Sequence, residues 1–367
     1  MKNRSFLLVL SIIKLMISLV ICSTSCPCSD SSLCKPISSS PRKEIFIFQL
    51  GGSDWKSYDW SIVTTVAMFG KYDPDLMCYA HSHGARVVLK GVVSADQLNN
   101  STYTNLWITQ QVKLAQDQFM DGINIDIEDP LDKSDAPLLT KLVAETTLVF
   151  HEMIPGSQVT TDVAWSPDCI DKRCYNYKDI ADACDFVFVM SYDEQSQIYG
   201  DCIAMANSPY NKTASGVEKF IKLGISPYKL VLGVPWYGYD YPCVTLTEED
   251  VCSIKKIPFR GVPCSDAAGK QVEYRYIQKI LSTSSTTGRQ WNSTYAAPYF
   301  QYKSAETGAM HQMWYDDPES LKYRYDYAKI GNLRGVGAWH GDTLDYDGDA
   351  KGKQQAKDMW QAMASFL

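Results

Sequence analysis

Apolar and polar residues follow two rhythms along this chain, and the rhythms predict its elements. Short runs rich in apolar residues recur at 44–50, 62–69, 86–91, 159–165, 186–190, 230–236 and 335–339. Several are apolar at odd and even positions alike, which predicts parallel strands covered on both faces. Between them, residues 138–153 carry helical spacing and stop at Pro155-Gly156. A second helical pattern at 215–223 stops at Gly224 and Pro227, and others cover 321–330 and 356–366.

One stretch, from Asp121 to Glu128, departs from this apolar habit. From Ile123 onward isoleucines alternate with Asn124, Asp126 and Glu128. A strand has a side-chain period of two, so the three polar groups share one face, roughly 6.5–7 Å apart. A solvated antiparallel face could read this way. Two carboxylates and an amide in a row, with no Lys or Thr among them, make a poor solvated face because like charges repel. The neighbouring strands are apolar on both faces, so this one belongs inside a sheet as an active-site strand with Glu128 at its end. Buried carboxylates are costly and are mostly kept for chemistry. With this stretch as the fourth strand, strands alternating with helices predict a (β/α)8 TIM barrel. An open doubly wound sheet is the alternative, but no Gly-x-Gly-x-x-Gly follows the first strand. The segment 239–310 breaks the rhythm, carries Cys243, Cys252 and Cys264, and predicts a small insertion between strands seven and eight.

Composition narrows the setting. The chain has 367 residues and a formal net charge of −7, with no basic cluster, which argues against a nucleic-acid partner. Lys2 and Arg4 precede an apolar run to Cys22, so residues 1–25 predict a cleaved signal peptide. No later segment is long and apolar enough to span a bilayer, and the mature 26–367 chain is expected to be a monomer free of the membrane. An exported chain favours disulfides. Cys169–Cys174 is the most plausible local pair, and Cys184 is the candidate free thiol. Sequons at Asn99, Asn100, Asn211 and Asn292 fit the same route. The five histidines lack ligand spacing such as His-Glu-x-x-His, so neither metal nor cofactor is expected.

Asp121-Gly122, Asp126 and Glu128 resemble the Asp-Gly-x-Asp-x-Asp-x-Glu signature of family 18 glycoside hydrolases, with Asn124 where the family usually has aspartate. Met190-Ser191-Tyr192-Asp193 resembles the family's Met-x-Tyr-Asp, and Gly233 to Gly238 its Gly-φ-Pro-φ-Tyr-Gly, φ being hydrophobic. Trp339 ends the last strand, where an indole can floor a sugar site. The resemblance implies a retaining, substrate-assisted glycosidase acting on N-acetylglucosamine oligosaccharides. Glu128 would be the general acid/base, and Asp126 would orient the substrate's acetamide. Tyr192 would donate to the acetamide oxygen, with Asn124, Met190, Asp193, Tyr237 and Trp339 binding sugar. The amide of Asn124 is expected to donate to Asp126. The cysteine-rich head, Cys26 to Pro36, is similar to that of lysosomal members that cleave the GlcNAcβ1-4GlcNAc core of Asn-linked glycans. Lysosomal delivery is therefore expected, with secretion as the alternative. An endo-acting chitinase and a non-catalytic lectin remain the rival functions.

Overall fold

The structure, a computed structural model, describes residues 25–38, 42–195 and 201–367. The signal-peptide expectation for residues 1–25 therefore lies outside the described residues except at its last position. Eight parallel strands close into a barrel in which each strand has two neighbours. In chain order they begin with β1 (Glu44–Gln49), β2 (Thr65–Met68), β3 (Arg86–Gly91) and β4 (Gly122–Ile125). β5 (Gln158–Ala164), β6 (Phe186–Met190) and β7 (Leu230–Pro235) continue the wall, and the last barrel strand, Gly335–Trp339, pairs with both β7 and β1. The predicted TIM barrel is thus the fold.

Helices fill most crossovers: α1 (Pro74–Ser82), α2 (Ser101–Asp117), α3 (Ala136–Met153), α4 (Tyr177–Ala183) and α5 (Tyr210–Lys222). The β1–β2 crossover has only a 3-10 turn, Asp54–Ser57. Odd and even positions of β1 show why the strands look apolar throughout. Ile45 and Ile47 pack outward on the helix layer, while Phe46 and Phe48 fill the barrel with Phe186 and Phe188. The Phe188 ring sits so close to the neighbouring strands that a Cβ at Gly233 would lie 2.2 Å from it.

Between β7 and the last barrel strand the chain builds a second, five-stranded antiparallel sheet. Its members are β8 (Tyr237–Pro242), β11 (Lys270–Glu273), β12 (Gln290–Asn292), β13 (Ala297–Lys303) and β14 (Met310–Trp314), with the short pair β9 (Thr245–Leu246) and β10 (Cys252–Ser253) beside it. α6 (Tyr274–Thr283) belongs to this unit. α7 (Pro318–Ile330) returns the chain to the final barrel strand, β15 (Gly335–Trp339), and α8 (Ala350–Ala364) closes it. Among the described residues no helix is long and apolar enough to cross a membrane.

Among the described residues five disulfides staple this frame: Cys26–Cys34, Cys28–Cys78, Cys169–Cys174, Cys202–Cys264 and Cys243–Cys252. The expected local pair forms, and among the described residues Cys184 is the free thiol, buried as expected of a residue leading into β6.

Candidate active site

The signature stretch divides its labour along its length. Asp121 lies below the barrel rather than at its mouth. Its carboxylate accepts from the backbone N–H groups of Ile37 and Val87 and faces His81 Nε2 at 2.9 Å. Gly122 follows at φ +152°, and a Cβ there would lie 1.8 Å from the Gln158 carbonyl oxygen. Only glycine lets β4 approach β5 this closely.

Asn124 points into the barrel. The expectation that its amide donates to Asp126 is corrected: Nδ2 donates to Asp162 Oδ2 at 2.6 Å, and Oδ1 accepts the Thr160 hydroxyl at 2.6 Å. The cause is register. Asn124 lies level with Thr160 on β5, so the inward residues of β5 are nearer than the next inward residue of its own strand.

A second correction concerns Glu128. The strand ends at Ile125, so Asp126 and Glu128 stand on the chain that leaves it, above the barrel mouth. Glu128 is about half exposed, and Arg173 Nη1 donates to its Oε2 at 2.8 Å. The same guanidinium reaches Asp171 at 3.3 Å. Asp126 remains more sheltered, with Lys90 Nζ 3.8 Å from Oδ2. Burial and the charge of Glu128 push its carboxyl up to about 6, against the pull of Lys90 and Arg173. Asp162 is fully buried, and burial followed by the charge of Asp126 holds its carboxyl well above the usual range.

β6 ends in the aromatic side of the site. Tyr192 is buried just beyond the strand. The hydroxyls of Tyr237 and Tyr239, both on β8, donate to Asp193 Oδ1, the latter at 2.9 Å. Asp193 is pushed up to about 6 by burial, opposed by these two hydrogen bonds. Asp266 is pushed up to about 7 by burial and by the charge of Asp193. A cavity of about 280 Å³ joins these groups, lined by Glu128, Asp171, Arg173, Met190, Tyr192, Asp193, Tyr239, Phe259, Arg260 and Asp266. Trp339 is half-buried at the end of β15, its ring 5.0 Å from that of Phe48 and 5.7 Å from that of Phe69. It caps the aromatic filling of the barrel.

Glu128, Met190, Tyr192 and Asp193 thus line one cavity, with Asp126 coupled to Glu128 and Tyr237 reached through Asp193. Trp339 and Asn124 flank and underlie them. Sequence reasoning missed Asp162, Arg173, Tyr239, Arg260 and Asp266. A lone carboxylate inside an apolar run was a readable signal for Asp162. The others come from loops and from the second sheet, where no period orients a side chain. Of the four sequon residues, Asn99, Asn100 and Asn211 are exposed, and Asn292 is half-buried.

Residues 90–345 match the sequence profile described as glycosyl hydrolases family 18. The chain is 58% identical over 340 residues to di-N-acetylchitobiase of Rattus norvegicus, covering 92% of each chain. It is 56% identical over 342 residues to the Homo sapiens protein of that name, covering 93% of this chain and 88% of that one. The barrel also resembles the allosamidin complex of a Group IV chitinase from Ostrinia furnacalis, with a TM-score of 0.71 and 18% identity over 88% of this chain and 98% of that one. A family 18 chitinase from Cycas revoluta, solved with (GlcNAc)3, gives 0.68 and 18% over 88% and 99%.

Proposed function

Because the chain belongs to family 18 of the glycosyl hydrolases, we propose that it cleaves the GlcNAcβ1-4GlcNAc unit at the reducing end of Asn-linked glycan fragments and chitooligosaccharides. The observation that carries this reading is the meeting of Glu128 and Tyr192 on one cavity, with Asp126 two residues before Glu128 and paired to Lys90.

The chemistry follows from the groups present. Glu128 protonates the departing glycosidic oxygen, exchanging its Arg173 partner for the substrate as it does so. Family 18 is a substrate-assisted exception among glycosidases, in which the sugar's own 2-acetamido oxygen attacks the anomeric carbon. Asp126 stabilises the positive charge of the resulting oxazolinium, and the Tyr192 hydroxyl holds the acetamide oxygen in line. Water then opens the ring with Glu128 as base, giving net retention. Trp339 offers a face to the sugar ring. Asp193, held by Tyr237 and Tyr239, closes the far side. Lysosomal delivery and glycans at Asn99 or Asn100, Asn211 and Asn292 fit a chain that travels the secretory route as a monomer.

The test is E128Q, a near-isosteric change that removes the proton donor. Release of fluorophore from a chitobiose glycoside should vanish while sugar binding persists. Turnover within a few-fold of wild type would sink the assignment. A reducing-end-labelled chitooligosaccharide run alongside should lose only its terminal labelled sugar. Internal cleavage would mark an endo-acting chitinase.

A further inference from the structure

Asp162 lies one strand away from the signature stretch and carries none of the roles above. Its position is nonetheless tightly defined. Asn124 and Thr160 are paired across β4 and β5, and Ile125 pairs with Thr161. Asp126 follows that last pair directly, its N–H still donating to the Gly91 carbonyl of β3 at 2.8 Å, and Asp162 follows it on the β5 side, so the two stand next to each other beyond the pair. Asn124 and Asp162 meet inside the barrel, and the period of two turns Asp126 to the same face.

One oxygen of Asp162, Oδ2, accepts the Asn124 amide. The other, Oδ1, is buried and has no hydrogen-bond partner among the described residues. A buried carboxylate oxygen left unpaired is expensive, whereas a protonated one becomes a donor that seeks an acceptor. The groups acting on Asp162 are Asn124, Asp126, Glu128, Lys90 and, just beyond β6, Tyr192. Of these, the Asp126 carboxylate is the acceptor at the same level.

We propose that Asp162 is a positioning residue of the hydrolysis: a neutral acid whose Oδ1–H donates to the Asp126 carboxylate and holds it, ionised and oriented, beneath the substrate's acetamide. The elevated titration of Asp162 agrees with a group that keeps its proton while Asp126 loses its own. Asn124 completes the device. Its amide donates to Oδ2 and so leaves Oδ1 as the oxygen that carries the proton. Asp126 thereby gains a donor from below to set against the negative charge of Glu128 beside it. The inference rests on Asp126 being a working carboxylate, as proposed above.

Two substitutions separate a hydrogen-bond donor from a filler of space. D162N keeps a donor and the neutral charge, and D162V keeps approximate volume and strand preference but donates nothing. D162V should lower kcat about ten- to hundredfold, the usual effect of losing a hydrogen bond to a charged group, with little change in KM. Its acid limb in the pH–rate profile should move upward by about half a unit or more, because an unsupported Asp126 carboxylate ionises later. D162N should restore both. A D162V enzyme with the wild-type profile, or a D162N enzyme as impaired as D162V, would overturn the proposal. D126N, assayed in parallel, separates the two claims. If D126N stays active, the reading of Asp126 and this inference both fall. If it is inactive, the Asp162 pair decides alone. Should D162V not fold, infrared titration of the wild-type protein supplies the answer. A protonated-carboxyl band absent from D162N should persist through the Asp126 titration, and its loss in step with Asp126 would refute the role.

Discussion

Each working side chain is tuned by one or two neighbours, and those neighbours define what a substitution should do. Lys90 offsets part of the burial and repulsion acting on Asp126. Removing it in K90M should shift the Asp126 titration above its value of about 6. A partly exposed pair of this kind is worth about 0.2–1 kcal/mol, which is a shift of roughly 0.2–0.7 units upward. Measuring the acid limb of kcat/KM at low salt checks it, and a downward shift would contradict the pairing. Tyr192 is simpler. On the proposed reading Y192F removes a preorganised donor, so kcat should fall about 10²–10³-fold, as oxyanion-type donors commonly show. A glycoside lacking the acetamide should be cleaved equally slowly by both forms. If it is cleaved as fast as the natural substrate, acetamide assistance is wrong. Asn124 shows how far a sequence carries at this scale. Its inward face was legible from alternation, because a strand's period is fixed. Its partner was not, because register between strands is set by the closed sheet and not by either strand alone.

At the scale of elements, apolar runs marked every barrel strand except β4, which alternation marked, because burial on both faces leaves such runs little else to be. The helices were less legible. α1 buries Leu76, Met77 and Ala80 and α2 buries Trp107, Ile108, Val112 and Ala115, but exposed Tyr79 on α1 and exposed Tyr103, Leu106 and Leu114 on α2 blur each stripe in the sequence. The strand that matters most was read three residues too long, since the pattern Asp126-Ile127-Glu128 persists after the hydrogen-bonded ladder stops at Ile125. Below the barrel an element-level prediction follows from His81 on α1. Its Nδ1 lies 2.6 Å from the Leu33 carbonyl oxygen and its Nε2 2.9 Å from Asp121 Oδ2. Both partners are acceptors, so the ring must donate from both nitrogens, and the imidazolium joins the N-terminal head to α1 and β4. Burial alone would depress the His81 pKa, but the hydrogen bond and charge of Asp121 and the Leu33 carbonyl outweigh it and raise it. With the folded-state pKa above the unfolded one, this contribution is full below the unfolded value of about 6.5 and is lost as pH rises through the folded pKa. H81Q should therefore cost more stability at pH 5 than at pH 9. Breaking a buried pair of this kind typically costs roughly 3–5 kcal/mol. Thermal melts of both proteins at the two pH values measure the difference. A larger loss on the alkaline side would show that His81 is held neutral.

On the proposed reading the whole molecule divides chemistry from enclosure. Glu128, Asp126 and Tyr192 stand on chain leaving the barrel strands, whereas Tyr237, Tyr239, Arg260 and Asp266 come from the segment inserted after β7. That insertion was visible in the sequence as a break in rhythm, but its contribution to the site was not, because an antiparallel sheet standing on a barrel rim has no fixed spacing to the strands beneath. Its attachment is partly covalent. Cys202–Cys264 ties the chain after β6 to the segment that carries Arg260 and Asp266, closing a span of 62 residues. A closure of this length restricts the unfolded chain by about 4 kcal/mol on the chain-entropy account. Replacing both cysteines by alanine should therefore lower Tm. It should also raise KM more than it lowers kcat if, as proposed, the loosened wall binds sugar while the barrel-borne groups keep their geometry. Steady-state kinetics on a fluorogenic chitobioside, run well below the lowered Tm, separates the two constants. If kcat alone falls, the inserted sheet acts on the chemical step, and the division between a catalytic barrel and an enclosing insertion is wrong.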